Sequence, residues 1–425
     1  MSSRHIPTIS FGAALLTNLN IMIGVGIFVN TAPLIKEAGA LSPLSYLIVG
    51  FLMLPLILAI NKLMTKHKGG NFYTFGAENL SPTWGFLSVW SYFVGKLASC
   101  SLMIHFFSSL MQKLIPSLNI FSTIWLDLLV ILFLTLLNCL NTRIGTLIQL
   151  LIFIVKISPI IFIILGGFYI FDFTSFQDTS SSNAINNLLP TISFVVYAFT
   201  GFEATCSLSS CIKNPEKNGP RAILIAFFIV VMLTILYQFC SFVIAGNSLS
   251  KAASFTDAFA ILAKGFSSNF IIQNKIGYFL QITAAISALG AAYGVFYSNN
   301  RNLYSLAQEG HIFFSRYFMH LNQNHIPWLS VLVQAFGCIL YLLFTRGNNI
   351  PLQQMSAVGC TLAYFISCIG LVKHGIRRNF IGLLGLISAG LLLLFSLSSA
   401  IQTSTFALAL YCALLLSGLL MFHKV

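Results

Sequence analysis

Charged side chains are scarce in this sequence. Only 7% of the 425 residues are Asp, Glu, Lys or Arg, whereas 57% are hydrophobic and the mean hydropathy is +0.89. Soluble domains carry about 25% charged residues, so most of this surface must face lipid. The composition therefore excludes a soluble globular fold and predicts a membrane protein.

Acidic residues and catalytic motifs are scarcer still. The chain contains nine Asp and Glu residues, and no HExxH, GxSxG or DxxD motif lies at a predicted membrane face. The nine cysteines include no CxxC pair, which argues against a metal site or a disulfide framework. The sequence thus favours a protein that is not an enzyme and that needs no metal or other cofactor.

Long apolar runs separated by short polar loops recur along the whole chain. Each run has about the 20 residues that cross a hydrocarbon core of about 30 Å. About twelve runs are present, which predicts an all-α polytopic membrane protein. The runs cover approximately residues 11–35, 42–61, 86–111, 124–141, 145–170, 188–210, 221–246, 272–300, 327–345, 351–372, 380–398 and 405–422.

The basic side chains are distributed unevenly over the two membrane faces. If the amino terminus lies in the cytoplasm, the inner loops hold most of the Lys and Arg residues. This bias follows the positive-inside rule and predicts that both termini are cytoplasmic. The net charge of +13 is then a consequence of topology, and it predicts no nucleic-acid partner.

Two of the predicted spans are interrupted by glycine at mid-depth. The first span contains IGVGIF (23–28) and the sixth contains YAFTGFEA (197–204). Glycine weakens a helix interior by about 1 kcal/mol relative to alanine. Five spans separate the starts of the two halves, so the second half begins on the opposite side of the membrane. Paired breaks of this kind are typical of inverted-repeat transporters, although glycines that permit close helix packing are the alternative.

Several stretches of the chain together resemble the amino acid–polyamine–organocation superfamily. Their order and spacing are similar to those of its bacterial amino acid permeases. The stretches are IGVGIF (23–28), GGNFYTFGAENLSPTWGFLSVW (69–90), FTGFEA (199–204), KNPEKNGPRAI (213–223) and RNLYSLAQEG (301–310). Within the second of them, GGNFYTFGAENLSP (69–82) is predicted to form a short cytoplasmic gate helix.

The resemblance implies the LeuT-type fold, in which two five-helix repeats are inverted relative to each other. Residues 1–170 would form the first repeat, residues 188–373 the second, and residues 380–425 two extra helices. It also implies a secondary transporter of amino acids in the bacterial cytoplasmic membrane, surrounded by lipid, either as a monomer or as a homodimer. A channel, or an amino acid sensor built on a transporter fold, is the alternative outside this class.

The helix breaks predict where an amino acid would bind. A second half-helix that starts near Ile27 would leave amide N–H groups for a carboxylate. Free carbonyls near Met22–Ile23 and Ala198–Phe199 would accept from an ammonium group. The predicted substrate-binding residues are Ile23, Gly24, Val25, Gly26, Lys96, Tyr197, Ala198, Phe199, Thr200, Gly201, Phe202 and Tyr293.

Aromatic side chains crowd the same region. The resemblance implies that an aromatic residue at or near Tyr197 and Phe202 closes over the substrate. Tyr293 and Tyr297, one helical turn apart in the eighth span, could line the pathway. Ordinary packing is the alternative for each of these aromatic side chains.

Lys156 lies near the middle of the fifth span, about 16 Å from its start at about 1.5 Å per residue. A charge at this depth is costly and normally faces a polar cavity. In sodium-independent members of the resembled family, a lysine of the fifth span places its amine where sodium-coupled relatives bind a cation. We therefore expect Lys156 to brace the first and eighth spans, with protons or exchange rather than sodium driving transport. A purely structural ammonium is the alternative.

Lys96 and Glu203 are the other ionisable residues that the sequence places near mid-depth. Lys96 could repel cationic substrates and so favour neutral or acidic amino acids, or it could pair with Glu203. Glu203 could exchange protons, or it could brace the unwound loop by accepting backbone N–H groups. Neutral amino acids are the preferred substrates. Acidic amino acids, or exchange of an amino acid for its amine, are the alternatives.

Overall fold

The computed structural model describes residues 9–140, 142–171, 188–252, 254–373 and 380–422. Throughout these ranges the chain is almost entirely helical, and two isolated bridges join Ile9 to Ile212 and Ile312 to Phe422. The helices are α1 Phe11–Met22, α2 Gly26–Val29, α3 Thr31–Ala38, α4 Ser42–Lys66, α5 Phe72–Ala77, α6 Pro82–Leu114, α7 Thr123–Asn138, α8 Thr142–Ile170, α9 Leu188–Phe199, α10 Ala204–Ser207, α11 Pro215–Ala245, α12 Phe255–Phe266, α13 Phe270–Gln308, α14 Ser315–Phe318, α15 Trp328–Thr345, α16 Asn349–Lys373, α17 Phe380–Thr403 and α18 Thr405–Met421.

The number of membrane helices agrees with the apolar runs of the sequence. In the described ranges, nine segments are long and apolar enough to cross a membrane, and three shorter apolar helices join them. The predicted all-α polytopic membrane fold is therefore confirmed. The division of the chain into two inverted repeats and two extra helices stays a prediction.

Helix α6 forms the centre of the bundle. It begins at Pro82, where Ser81 caps the first turn by accepting from the Trp84 amide. In its most apolar part 83% of the residues are buried, against 33% in α8 and in α17. Helices α13 and α16 pack along it. Helix α6 thus lies inside the protein, whereas most residues in the apolar parts of α8 and α17 are at least partly exposed, as expected of helices that face lipid.

The short helix predicted within residues 69–82 is present as α5, and its role as a gate stays a prediction. Asn71 caps it by accepting from the Thr74 amide at 3.1 Å. The Tyr73 hydroxyl lies 2.7 Å from Nε2 of His311, at the end of α13. Burial, and to a smaller extent the nearby Glu309, raises the pKa of Tyr73 to about 12. The hydroxyl therefore keeps its proton at physiological pH, and its hydrogen bond with His311 ties α5 to the residues that follow α13.

Candidate substrate site at two broken helices

The first membrane span is interrupted where the glycines predicted it. Helix α1 ends at Met22, and α2 begins at Gly26. The amides of Phe28 and Val29 donate to Val25 O at 3.0 and 2.9 Å, which closes the first turn of α2. Within the described chain, the backbone N–H groups of residues 24–27 form no hydrogen bond. These are the unpaired donors that a helix start leaves, and a carboxylate can accept from them.

The sixth span is interrupted at the corresponding place. Helix α9 ends at Phe199, and α10 begins at Ala204. Gly201 adopts a φ of +126°, which side chains disfavour, and a Cβ there would lie 2.6 Å from Cγ2 of Ile21. A glycine is therefore required at this point of the loop. The Thr200 hydroxyl turns back and donates to Tyr197 O at 2.9 Å.

The two breaks lie directly against each other. A Cβ added at Gly26 would lie 2.9 Å from Cα of Ala198, and one at Gly24 would lie 3.0 Å from Cε of Met103. The sequence left two interpretations of these glycines open, a break that forms a binding site and close packing of helices. In this conformation the space in front of Gly26 is filled by Ala198, so the glycine lets the two breaks approach each other.

Lys156 holds the end of α1 from helix α8. Its Nζ is fully buried and donates to Asn20 O at 2.6 Å. The Asn20 side chain donates in turn to Gln149 O at 2.8 Å, so α8 contacts the last turn of α1 through two hydrogen bonds. The eighth span reaches the same break through a different residue, because the Ser287 hydroxyl donates to Ile23 O at 3.3 Å. Lys156 thus braces the first span, and Ser287 supplies the contact from the eighth.

Lys96 and Glu203 form an ion pair between α6 and the second break. Nζ of Lys96 lies 3.0 Å from Oε1 of Glu203, which is the distance of an ion pair, although the two atoms are not aligned for a hydrogen bond. The Lys96 side chain is 2% exposed and the Glu203 side chain is 0% exposed. The other carboxylate oxygen accepts from the Gly201 amide at 2.9 Å. Lys96 also lies 5.4 Å from the ring centroid of Tyr92. Of the sequence alternatives, the structure shows the pair, and it shows Glu203 bracing the loop.

The aromatic side chains of the sixth span point in different directions. The Tyr197 ring lies 3.5 Å from the position that a Cβ of Gly26 would take. Its hydroxyl is buried and has no hydrogen-bond partner among the described residues. The Phe199 ring packs against Tyr46 and Phe227, at 5.7 and 5.8 Å between centroids. Tyr197 therefore faces the first break, whereas Phe199 contributes only its backbone.

Of the two remaining predicted aromatic residues, Phe202 lies in the loop of the second break and Tyr293 lies on α13. Phe202 packs against Tyr364 of α16, with 5.4 Å between ring centroids. Tyr293 stacks on Tyr297, with centroids 6.5 Å apart, and both are buried on α13. Their contacts are those of packed aromatic side chains.

Three buried asparagines that no sequence motif indicated connect the breaks to their surroundings. Asn18 accepts from the Thr205 amide at 3.2 Å and so links α1 to α10. Asn20 is the second asparagine of the same turn, and Asn30 donates to Phe194 O at 2.7 Å. Buried amide side chains inside an apolar span are costly without a partner. Asparagines inside an apolar run of the sequence were therefore the signal from which these contacts could have been predicted.

No group of three or more His, Cys, Asp or Glu side chains in the described ranges could hold a metal ion. The chemistry of the region therefore lies in backbone amides and carbonyls, two lysines and one carboxylate. Such a set can bind and orient a small zwitterion.

Comparison with known proteins places the chain in a family. Residues 9–422 match the family described as amino acid permease. The amino-acid permease RocE of Bacillus subtilis (strain 168) is 28% identical over 409 residues, which cover 90% of this chain and 81% of the relative. The lysine-specific permease LysP of Lactococcus lactis subsp. cremoris (strain MG1363) is 24% identical over 90% of this chain and 76% of its own. The serine/threonine exchanger SteT of Bacillus subtilis (strain 168) is 24% identical over 79% of this chain and 76% of its own. The chain belongs to the amino acid permease family, within the amino acid–polyamine–organocation superfamily.

Proposed function

We propose that this protein transports neutral amino acids across a bacterial cytoplasmic membrane by alternating access. The observation that carries the proposal is the juxtaposition of the two breaks. Unpaired amides of residues 24–27 lie on one side, and the carbonyl end of α9 at Phe199 lies on the other. Donors for a carboxylate and acceptors for an ammonium group thus lie at the two breaks, an arrangement that suits the α-carbon end of an amino acid.

The charges around the breaks support a neutral substrate side chain. Lys96 is neutralised by Glu203 at 3.0 Å, which leaves Lys156 as the unbalanced charge of the three. A cationic side chain would find no free carboxylate among these groups, and it would be repelled by Lys156. The names of the relatives point both ways, because SteT exchanges serine and threonine and LysP is specific for lysine. The charges around the breaks favour neutral substrates such as serine and threonine over lysine.

The position of Lys156 supports sodium-independent transport. Its ammonium group donates a hydrogen bond to Asn20 O, at the carbonyl end of α1. The family resemblance implies that a cation binds there in sodium-coupled relatives. A fixed ammonium makes a sodium ion unnecessary, so the driving force would be a proton gradient or the exchange of one amino acid for another. Exchange is the second candidate, and the name of SteT favours it.

Alternating access requires the two breaks to separate. In this conformation no ligand fits between Gly26 and Ala198. Substrate binding must therefore move α9 away from α2. The tight glycine contact would be restored when the site closes again without substrate.

The test is uptake by the purified protein in proteoliposomes, with a panel of the twenty radiolabelled amino acids. We expect saturable uptake of neutral amino acids that persists without sodium and that shows counterflow. Strict sodium dependence would overturn the role of Lys156. Flux without saturation or counterflow would indicate a channel, and efficient arginine uptake would overturn the neutral specificity.

A matched pair of glycine variants tests the site itself. Gly26→Ala inserts a methyl group against the backbone of Ala198, so we expect uptake to be lost or strongly reduced. Gly277→Ala in α13 is the control, because its Cβ would meet nothing closer than Ala263 Cβ at 3.9 Å. Equal activity of the two variants would show that the breaks do not need their close contact.

A further inference from the structure

The predicted cytoplasmic side of the two breaks is closed by a short backbone bridge. The Ile9 amide donates to Cys211 O at 2.6 Å, and the Lys213 amide donates to Ile9 O at 3.0 Å. These bonds join the chain just before α1 to the chain that follows α10. A substrate that leaves the breaks toward the cytoplasm must pass this bridge, and two hydrogen bonds hold it with little net free energy.

Helix α13 carries an arginine, Arg301, to this bridge. The helix packs against α1 and α10, and its Tyr297 lies in an apolar cluster with Ile9 and Ile212. Arg301 follows Tyr297 by four residues, which places it one turn farther from the breaks on the same face. Both Arg301 and Cys211 lie within electrostatic range of the Tyr297 hydroxyl. The guanidinium group is therefore beside the bridge, on the route from the breaks to the cytoplasm.

The Arg301 side chain is buried without a counter-ion. It is 3% exposed, and within the described chain it takes part in no ion pair. Its Nη2 donates to His325 O at 3.4 Å, whereas Nη1 is buried and has no hydrogen-bond partner among the described residues. Arginine stays charged at every physiological pH. A buried charge without a partner is costly, so an anion from outside the protein would be bound favourably here.

The loop that contacts Arg301 is fixed from its other side. The side chains of Asn322 and Asn324 donate to Cys139 O, which follows α7, at 3.1 and 3.0 Å. His325 O is thus held at the long end of hydrogen-bond distances from Arg301. Because the loop would have to break its own contacts to move closer, it does not supply the missing acceptor for Nη1.

The shape of the guanidinium group selects the kind of anion. Arginine presents its N–H groups as a planar fork that matches the two oxygens of a carboxylate. If the protein transports neutral amino acids, the carboxylate is the anionic group that passes along this route. Arg301 is then placed to accept it once the substrate has left the first break.

We propose that Arg301 forms a second carboxylate site, on the cytoplasmic side of the transport path. It receives the substrate carboxylate after the backbone amides of residues 24–27 release it. In this conformation the site is covered, and it opens when the bridge between Ile9 and Cys211 breaks. The inference rests on the proposed function, although a free cytoplasmic carboxylate presents the same chemistry to the same guanidinium group.

The first experiment compares the two faces of the membrane, with the neutral amino acid that shows the highest uptake in the panel. Right-side-out vesicles expose the outer face to the radiolabel, and inside-out vesicles expose the cytoplasmic face. In Arg301→Gln the KM at the cytoplasmic face should rise about tenfold, because a charge-assisted hydrogen bond is lost. The KM at the outer face should stay unchanged. Arg301→Lys keeps the charge without the fork and should raise the cytoplasmic KM less.

Arg316→Gln is the matched control for the loss of charge. Arg316 is an exposed arginine on α14, on the same predicted side of the membrane. Its replacement should leave the KM unchanged at both faces. Equal increases of KM at the two faces in Arg301→Gln would overturn the proposal, since they would place the effect at the central site.

Thermal stability distinguishes a ligand-binding arginine from a structural one. Arg301→Gln removes a buried charge that has no counter-ion, so the Tm of the purified protein should stay the same or rise. A structural arginine would lower Tm when it is replaced. A clear fall in the Tm of Arg301→Gln would therefore show that the protein itself satisfies the guanidinium group, and it would overturn the proposal.

A binding experiment needs no transport. The Tm of the purified protein in detergent is measured while sodium acetate replaces sodium chloride at constant ionic strength, with acetamide as the neutral control of similar shape. A ligand that binds the folded state raises Tm. Acetate can also bind the amides of residues 24–27, so the Arg301 site is read from the part of the shift that Arg301→Gln removes and Arg316→Gln keeps.

The two experiments together identify the source of the carboxylate. A KM change at the cytoplasmic face assigns the site to the departing substrate, and an Arg301-dependent acetate shift alone assigns it to free carboxylates of the cytoplasm. The absence of both would overturn the site. If wild-type vesicles showed no saturable uptake, the proposed function would fail, whereas the acetate shift would still test Arg301.

Discussion

Lys96 and Lys156 are two buried lysines near the middle of their helices, and they are held in opposite ways. Their side chains are almost equally buried, at 2% and 0% exposure. Lys156 donates to a neutral backbone carbonyl, Asn20 O, at 2.6 Å. Lys96 lies 3.0 Å from a carboxylate, Glu203, that is as buried as itself. One lysine therefore keeps a net charge in the protein, and the other does not.

This difference separates what each lysine does. Removing Lys96 would leave the carboxylate of Glu203 buried and uncompensated, so the ion pair is a fixed part of the architecture. Removing Lys156 would leave only one unpaired carbonyl. The contact of Lys156 with Asn20 O can therefore break at modest cost if the amine also gives up its proton, because a buried ammonium group without a partner is costly. Of the two lysines, Lys156 is the one suited to take part in a transport cycle.

Loss of the Lys96 charge is expected to have the largest effect on stability. Lys96→Met should lower the free energy of unfolding by about 3–5 kcal/mol, because it breaks a buried ion pair. The measurement is the unfolding midpoint in detergent, compared with that of Lys156→Met. If both variants lost the same stability, the distinction between the two lysines would be wrong.

The double variant Lys96→Met/Glu203→Gln tests the cause of that loss. A neutral glutamine keeps an oxygen that can accept from the Gly201 amide, which now donates to Glu203 at 2.9 Å. Most of the stability lost in Lys96→Met should return, since no unpaired charge remains. Additive losses would indicate that the pair contributes through packing rather than charge.

The positions of the breaks could be predicted closely from the sequence. The pattern GVG (24–26) placed the first break, and the structure has it between Met22 and Gly26. FTGFEA (199–204) placed the second, which lies between Phe199 and Ala204. Glycine and polar residues in an apolar span are local signals, because their cost must be offset where they occur. The position of a helix break can therefore be predicted from the local sequence, without knowledge of the fold.

What faces each residue could not be predicted, because it depends on distant parts of the chain. Gly26 meets Ala198, and the Phe199 ring turns toward Tyr46 and Phe227 rather than toward the break. The choice between the two interpretations of Lys96 needed the distance to Glu203. The rotation of each helix about its axis decides these contacts, and a uniformly apolar span has no polar face that would fix its rotation.

Replacing Lys156 should affect transport more than stability. Lys156→Met removes a hydrogen bond to a charged donor, worth about 1.5–3 kcal/mol, and removes the cost of burying the charge at the same time. We therefore expect a smaller loss of stability than in Lys96→Met, together with a loss of uptake. Lys156→Arg keeps the charge but cannot release a proton.

The arginine variant distinguishes a structural ammonium from a proton carrier. If Lys156 carries protons, Lys156→Arg should lose uptake driven by a pH gradient and keep the exchange of amino acids across the membrane. If the ammonium only fixes α1 through Asn20, both activities should survive. Retention of gradient-driven uptake would thus contradict proton transfer by Lys156.

The smallest expected effect belongs to Ser287, the uncharged counterpart of Lys156 at the same break. Its hydroxyl donates to Ile23 O at 3.3 Å, a longer and weaker bond than that of Lys156. Ser287→Ala should lower stability by about 0.5–1 kcal/mol, and it should raise KM by loosening the end of α1. Ser298→Ala is the matched control on the same helix, since within the described ranges its hydroxyl donates only to carbonyls of α13 itself, Gly294 O at 3.0 Å and Val295 O at 3.4 Å. If both serine variants left KM unchanged, the carbonyls at the end of α1 would be held by Lys156 alone, and the eighth span would have no part in shaping the first break.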